Sequence, residues 1–139
     1  MAADFPTIEP IIEEARRRLS QGEWDYLVGG TESETTLRQN RAGWDRWAFK
    51  PRVLVDVSHV DPSTMLLGHR LRIPVLTAPI GSLSHLTPDG ACAAAVADAA
   101  FGIVPVISSL AGHDLETVAA AAPDSDKIFQ LYIRGEGEW

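Results

Sequence analysis

Apolar residues recur at helical spacing from early in the chain. Ile8, Ile11, Ile12, Ala15 and Leu19 fall on one face and predict a helix over residues 8–20. Thr7 is its expected N-cap, and Pro10 falls in the first turn, where a missing N–H costs little. Ser20 followed by Glu23 reads as a capping box opening a short second helix that carries Trp24 and Tyr26. Gly29-Gly30 stops it. Thr31 and Glu34 make a third box-like start, with Leu37, Arg41, Trp44 and Ala48 along one face, and Pro51 ends that helix.

The pattern then becomes extended. Val53, Val55 and Val57 alternate until Asp61-Pro62-Ser63 breaks the run. Met65-Leu66-Leu67 and Arg70-Leu71-Arg72 flank Gly68-His69 and predict a small hairpin. From Ile73 the texture changes again. Pro74 to Pro79 reads as a buried strand. Thr87-Pro88-Asp89 reads as an N-cap with Pro at N1, opening an alanine-rich helix to Phe101 with Gly102 as its cap. Val104 to Ile107 is a second strand, Asp114 caps a helix that Pro123 stops, and Ile128 to Ile133 is a third strand, followed by a loop with Gly135 and Glu136. Strands alternating with helices at this spacing imply parallel βαβ units. The chain is therefore expected to be α/β in two parts, a helical segment and hairpin over 1–72 and the first βα units of an incomplete barrel over 73–139. A (β/α)₈ TIM barrel needs eight such units and typically about 250 residues. Three strands do not close one, and a three-stranded open sheet would leave a long free edge. The expectation is a missing remainder, held by a longer protein or a second chain.

Composition narrows the function classes. The chain has 139 residues, 45% of them hydrophobic, enough to bury a core. A net charge of -7 disfavours nucleic acid and anionic membranes as partners. No apolar run approaches the roughly 18 residues of a membrane span, and Met1 to Pro6 does not read as a secretion signal, so a cytoplasmic location is expected. A single cysteine, Cys92, excludes an intrachain disulfide and a thiolate metal cluster, and its alanine-rich surroundings suggest a buried, inert thiol. No metal site is expected. His59, His69, His85 and His113 are scattered over loops and turns.

Ligands of parallel α/β folds sit at the carboxyl ends of the strands. There the sequence places Ala78-Pro79-Ile80-Gly81, Ser108-Ser109, and Gln130 with Tyr132, the last two on one face of a strand. Gly81 permits close backbone approach, and Ser108 and Gln130 can both donate and accept. Such a rim suits a planar heteroaromatic ligand, though serines after strands are also common caps. Tyr26, just before a Gly-Gly break, reads equally as core or as a site residue.

The order Trp24-Asp25-Tyr26-Leu27-Val28-Gly29-Gly30, Glu34-Thr35-Thr36-Leu37, Asn40, Trp47 and Pro51-Arg52 resembles the N-terminal region of the FMN-dependent α-hydroxy-acid oxidases and dehydrogenases, a family that includes glycolate oxidase, lactate oxidase and mandelate dehydrogenase. Leu67-Gly68, Pro74, Ala78-Pro79, Pro88-Asp89-Gly90, Ile107-Ser108-Ser109 and Phe129-Gln130-Leu131-Tyr132 extend the resemblance over roughly residues 8–134. It implies a (β/α)₈ barrel preceded by helices and a hairpin. It implies that Pro79, Ile80 and Gly81 approach FMN through backbone atoms, and that Ser108 and Gln130 hydrogen-bond its isoalloxazine ring. Tyr26 and Tyr132 would bind a small 2-hydroxy acid, which loses a hydride to the flavin and becomes a 2-oxo acid. Three positions depart from the family: Gly81 where alanine is usual, Thr87 where histidine is frequent, and Leu110 where an aromatic residue is common near the substrate. The family's histidine base, arginines, flavin lysine and phosphate loops belong to the later barrel. No catalytic residue is therefore assigned here, and the chain alone is expected to be inactive, completed by a C-terminal chain or a homo-oligomer. The competing expectation is a non-catalytic remnant that associates with another chain through its open sheet edge. A small independent α/β binding module is a third.

Overall fold

A computed structural model of the chain describes residues 5–133 and 135. Contacts divide it into two compact units, Met1–Val57 and Ser58–Trp139. The hairpin expected in the first part thus belongs to the second unit.

The first unit holds three helices, α1 (Ile8–Arg18), α2 (Gln21–Val28) and α3 (Thr35–Asp45). Local chemistry defines their ends. Glu14 accepts from Arg17 Nε at 2.7 Å and from Arg18 Nε at 2.5 Å on the last turns of α1. Ser20 and Glu23 form the expected capping box, with Ser20 N–H donating to Glu23 Oε2 at 2.8 Å and Glu23 N–H to Ser20 Oγ at 3.3 Å. Gly29 ends α2 in an extended conformation, not a left-handed one. Its requirement is space, since a Cβ there would stand 2.6 Å from the Asp25 carbonyl oxygen.

Three expectations for this unit need correction. The third helix does not start at a box on Thr31. Glu34 is left-handed at φ 55°, so it precedes the helix, and its carboxylate accepts from Gly30 N–H at 3.1 Å. That helix also ends at Asp45, before Ala48. The alternating valines form no strand, because Leu54 takes φ 58° and interrupts the extended run.

The second unit opens with the hairpin, β1 (Thr64–Leu66) paired antiparallel with β2 (His69–Leu71). Leu66 faces His69, so the turn is Leu67-Gly68, with φ 50° and 85°. Positive φ at both central residues is the geometry of a tight two-residue turn that matches strand twist. Leu71 is buried, Arg72 N–H donates to Gly102 O at 2.8 Å, and His69 Nδ1 lies 2.6 Å from Asp126 Oδ2. These contacts place the hairpin with the βα units.

There follow α4 (Leu83–Leu86), α5 (Gly90–Phe101), β3 (Val106–Ser108), α6 (Leu115–Ala121) and β4 (Ile128–Gln130). β3 and β4 are parallel, with Val106, Ile107 and Ser108 opposite Ile128, Phe129 and Gln130. The expected strand at 74–79 shrinks to one parallel bridge, Thr77 to Pro105. Pro105 has no N–H for the ladder, and prolines 74 and 79 bound the segment. The α4 turn was not expected. Thr87 closes it instead of capping α5, and Gly90 N–H turns back onto Thr87 O at 3.0 Å. Small residues let the layers approach: Ala91 and Ala95 of α5 pack with Ile107, Ala111, Val118 and Ala122. Cys92 is half-buried against this core rather than fully enclosed. Thr77 Oγ1 donates to the buried Asp98 Oδ2 at 2.5 Å, pinning the bridge segment to α5. Glu136 lies outside the described residues.

Candidate functional site

β3 and β4 end together. Ser108 and Gln130 are the last residues of their strands and sit directly opposite in register. Ser108 is buried, and its Oγ accepts from Leu110 N–H at 3.2 Å. That occupies a lone pair and leaves the hydroxyl hydrogen free to point elsewhere. Gln130 Oε1 is buried and has no hydrogen-bond partner among the described residues. A buried, unpaired acceptor costs roughly 1–3 kcal/mol, so native proteins rarely keep one without a use. One donor and one acceptor therefore stand side by side where parallel strands present their carboxyl ends.

Tyr132 does not continue the strand as expected. β4 stops at Gln130, because the next contacts run to the loop after β3: Ser109 N–H donates to Gln130 O at 3.0 Å, and Tyr132 N–H donates to Ser109 Oγ at 3.2 Å. Its half-exposed phenol is thus tethered through its own backbone to the same strand ends.

The segment Pro79-Ile80-Gly81 reaches this region through its continuation. Ser82 N–H donates to Leu110 O at 2.8 Å and Ser84 N–H to Ala111 O at 3.3 Å. A Cβ on Gly81 would meet Leu110 Cβ at 3.4 Å, an ordinary contact, so this glycine is not demanded by crowding. A cavity of about 350 Å³ borders the same residues, lined among others by Ala78, Ile80, Leu83, Ile107 and Ser108. Tyr26 stands on α2 in the first unit and is well exposed, whereas every other candidate belongs to the second unit.

Two of the four histidines are engaged elsewhere. His69 pairs with Asp126, and His113 Nε2 lies 3.0 Å from Pro88 O. Asp114 caps α6 by accepting from Thr117 N–H at 2.6 Å, and the bonds from Thr117 hold its carboxyl below the usual range. Among the described residues no cluster suits a metal ion, and no helix is long and apolar enough to cross a membrane. The pairing of Ser82 and Ser84 with Leu110 and Ala111 was missed by sequence reasoning. Its one local signal is Gly112, at φ 93° with no room for a side chain.

Residues 15–139 match the family described as FMN-dependent dehydrogenase. Glycolate oxidase 1 of Zea mays is 39% identical over 119 residues, which are 86% of this chain and 32% of that protein. A peroxisomal (S)-2-hydroxy-acid oxidase of Oryza sativa subsp. indica is 40% identical over 121 residues, 87% of this chain and 33% of the relative. The chain thus spans about a third of the length of the curated relatives it matches. Among solved structures, a soluble mutant of the membrane-associated (S)-mandelate dehydrogenase from Pseudomonas putida superposes with TM-score 0.87 at 36% identity, covering 94% of this chain and 37% of that one. Mandelate oxidase with (S)-4-hydroxymandelic acid gives 0.85 at 30% identity, covering 92% and 36%. Family match and structural likeness agree: this chain belongs to the FMN-dependent dehydrogenase family.

Proposed function

We propose that the chain supplies one wall of the flavin site in an FMN-dependent (S)-2-hydroxy-acid oxidase or dehydrogenase. In this reading the Thr77 segment, β3 and β4 are the first three strands of a (β/α)₈ barrel, with α1 to α3 and the hairpin as its N-terminal elaboration. The carrying observation is the buried Gln130 Oε1 without a partner, beside a Ser108 hydroxyl whose hydrogen is free. The isoalloxazine ring offers an imide N–H between two carbonyls. An acceptor and a donor on adjacent strands complement that edge. Pro79, Ile80 and Gly81 border the ring through backbone atoms, and Tyr132 holds the carboxylate or hydroxyl of a small 2-hydroxy acid; the same role for Tyr26 rests on the family resemblance alone.

When bound, FMN accepts the hydride that turns the hydroxy acid into a 2-oxo acid. Removal of the hydroxyl proton needs a base, and the residues of this wall do not include one. His69 and His113 are engaged with Asp126 and Pro88. The base and the phosphate-binding groups are therefore assigned to protein beyond this wall, and the chain alone is inactive. A second reading, association with another chain through the free side of β4, is favoured by the exposure of Phe129, Leu131 and Ile133.

Flavin fluorescence during FMN titration tests the leading reading. Ser108→Ala should weaken binding by about 2- to 12-fold, the range of one net hydrogen bond, and Gln130→Leu should do the same. Unchanged affinity in both variants would refute the assignment.

A further inference from the structure

We propose that His113 is a positioning residue, a latch that fastens the loop after β3 to the turn before α5 and so fixes Leu110 and Ser108 at the rim. What the rim does rests on the flavin-site reading; the latch itself stands on contacts within the second unit.

The Pro88 carbonyl can only accept, so His113 Nε2, 3.0 Å away, carries the hydrogen. Nδ1 is buried and has no partner among the described residues. In this arrangement the ring hydrogen sits on Nε2, and Nδ1 faces no acceptor among the described residues. Two glycines make room for this arrangement. A Cβ on Gly90 would stand 3.0 Å from His113 Cε1 and 2.9 Å from Ser84 N. A Cβ on Gly112 would fall 1.8 Å from Ser84 Oγ.

The latch acts on residues it does not touch. With the loop pressed down, Leu110 O and Ala111 O accept from Ser82 and Ser84 N–H, while Leu110 N–H donates to Ser108 Oγ. Leu110 is thus held by both backbone groups, and one of those bonds positions the Ser108 hydroxyl oxygen. Release of His113 would free the loop, and Ser108 Oγ would lose the Leu110 N–H that holds it in place.

Amide hydrogen exchange and imidazole nitrogen NMR on the chain test the proposal without flavin, so failure of the flavin-site reading would not be mistaken for failure of the latch. His113→Ala should speed exchange at Ser82 and Ser84 by about fivefold, the loss of one net hydrogen bond. His113→Gln, which keeps an N–H donor, should restore most of the protection. Exchange at Glu23 and at Trp24 should not change. The wild-type ring should show hydrogen on Nε2 only. An Nδ1–H tautomer, equal exchange in the alanine variant, no rescue by glutamine, or a uniform change across the chain would each overturn the latch. If the alanine variant does not fold, the tautomer and the glutamine variant still decide.

Discussion

In the first unit, none of α1, α2 and α3 buries a residue completely, and bulky apolar side chains such as Trp44, Trp47 and Phe49 stand almost fully exposed. In the second, Ala91, Ala95 and Val118 are wholly enclosed around Ile107. The first unit's order comes from bonds between near neighbours in sequence: a capping box, the Glu14 pairs, and Arg16 stacked 5.2 Å above the Trp24 ring. The second unit's order comes from layers packed across the chain. Only the second can hold strand ends to the tolerance a ligand needs, and most of the candidate site lies there.

Putting a charge into the packed layer is the harshest way to break this contrast. Val118→Asp buries an unpaired carboxylate at a fully enclosed position and should cost about 3–5 kcal/mol. Amide protection in α5, β3 and β4 should collapse, whereas α2 should keep the protection its own capping box gives. Equal loss in both units, measured by hydrogen exchange, would show that the two are not organised differently.

The converse change is smaller. Ser20→Ala removes one arm of the capping box and should cost about 1 kcal/mol, read as faster exchange at Glu23 and Trp24 with β3 and β4 unaffected. The smallest effect is a titration. Bonds from Arg17 and then Arg18 hold the Glu14 carboxyl down to about 2 from 4.5. A lowered carboxylate pKa stabilises the fold above the unfolded value and loses that contribution as pH falls through the folded one. Helicity of α1 should therefore weaken between pH 4.5 and about 2. Because these groups are exposed, added salt should blunt the change. A Glu14 carboxyl that titrates near 4.5 by NMR would contradict this.

The same division explains what the sequence could reveal. The Ser20–Glu23 box and the Asp114 cap were legible because each depends on residues within a few positions; the hairpin was legible too, but its turn is Leu67-Gly68, one residue earlier than Gly68-His69. Glu34 misled, because it takes a left-handed conformation that nothing in its type announces. The strand expected at 74–79 is reduced to one bridge, because an apolar run shows which residues can be buried but not how many N–H groups prolines leave for pairing. For the site, Ser108 is legible as the residue that closes a strand, whereas Gln130 reads as mid-strand and proves to end one, opposite Ser108 in a register the sequence does not show. Tyr132 was assigned to a strand it does not join, since Ser109 takes its N–H. His113 reads from the sequence as one of several scattered loop histidines, because its partner Pro88 lies in a distant turn.

Binding of the isoalloxazine ring itself tests the central claim most directly. Lumiflavin, which lacks the phosphate tail, can be titrated into labelled chain while backbone and Gln side-chain resonances are followed by NMR. Shifts should concentrate at the Gln130 side-chain amide, Ser108, and residues 79–81, and should disappear in a Ser108→Ala, Gln130→Leu double variant. Shifts confined to the opposite end of the strands, around Arg70 and Asp126, or persisting in the double variant, would contradict the account.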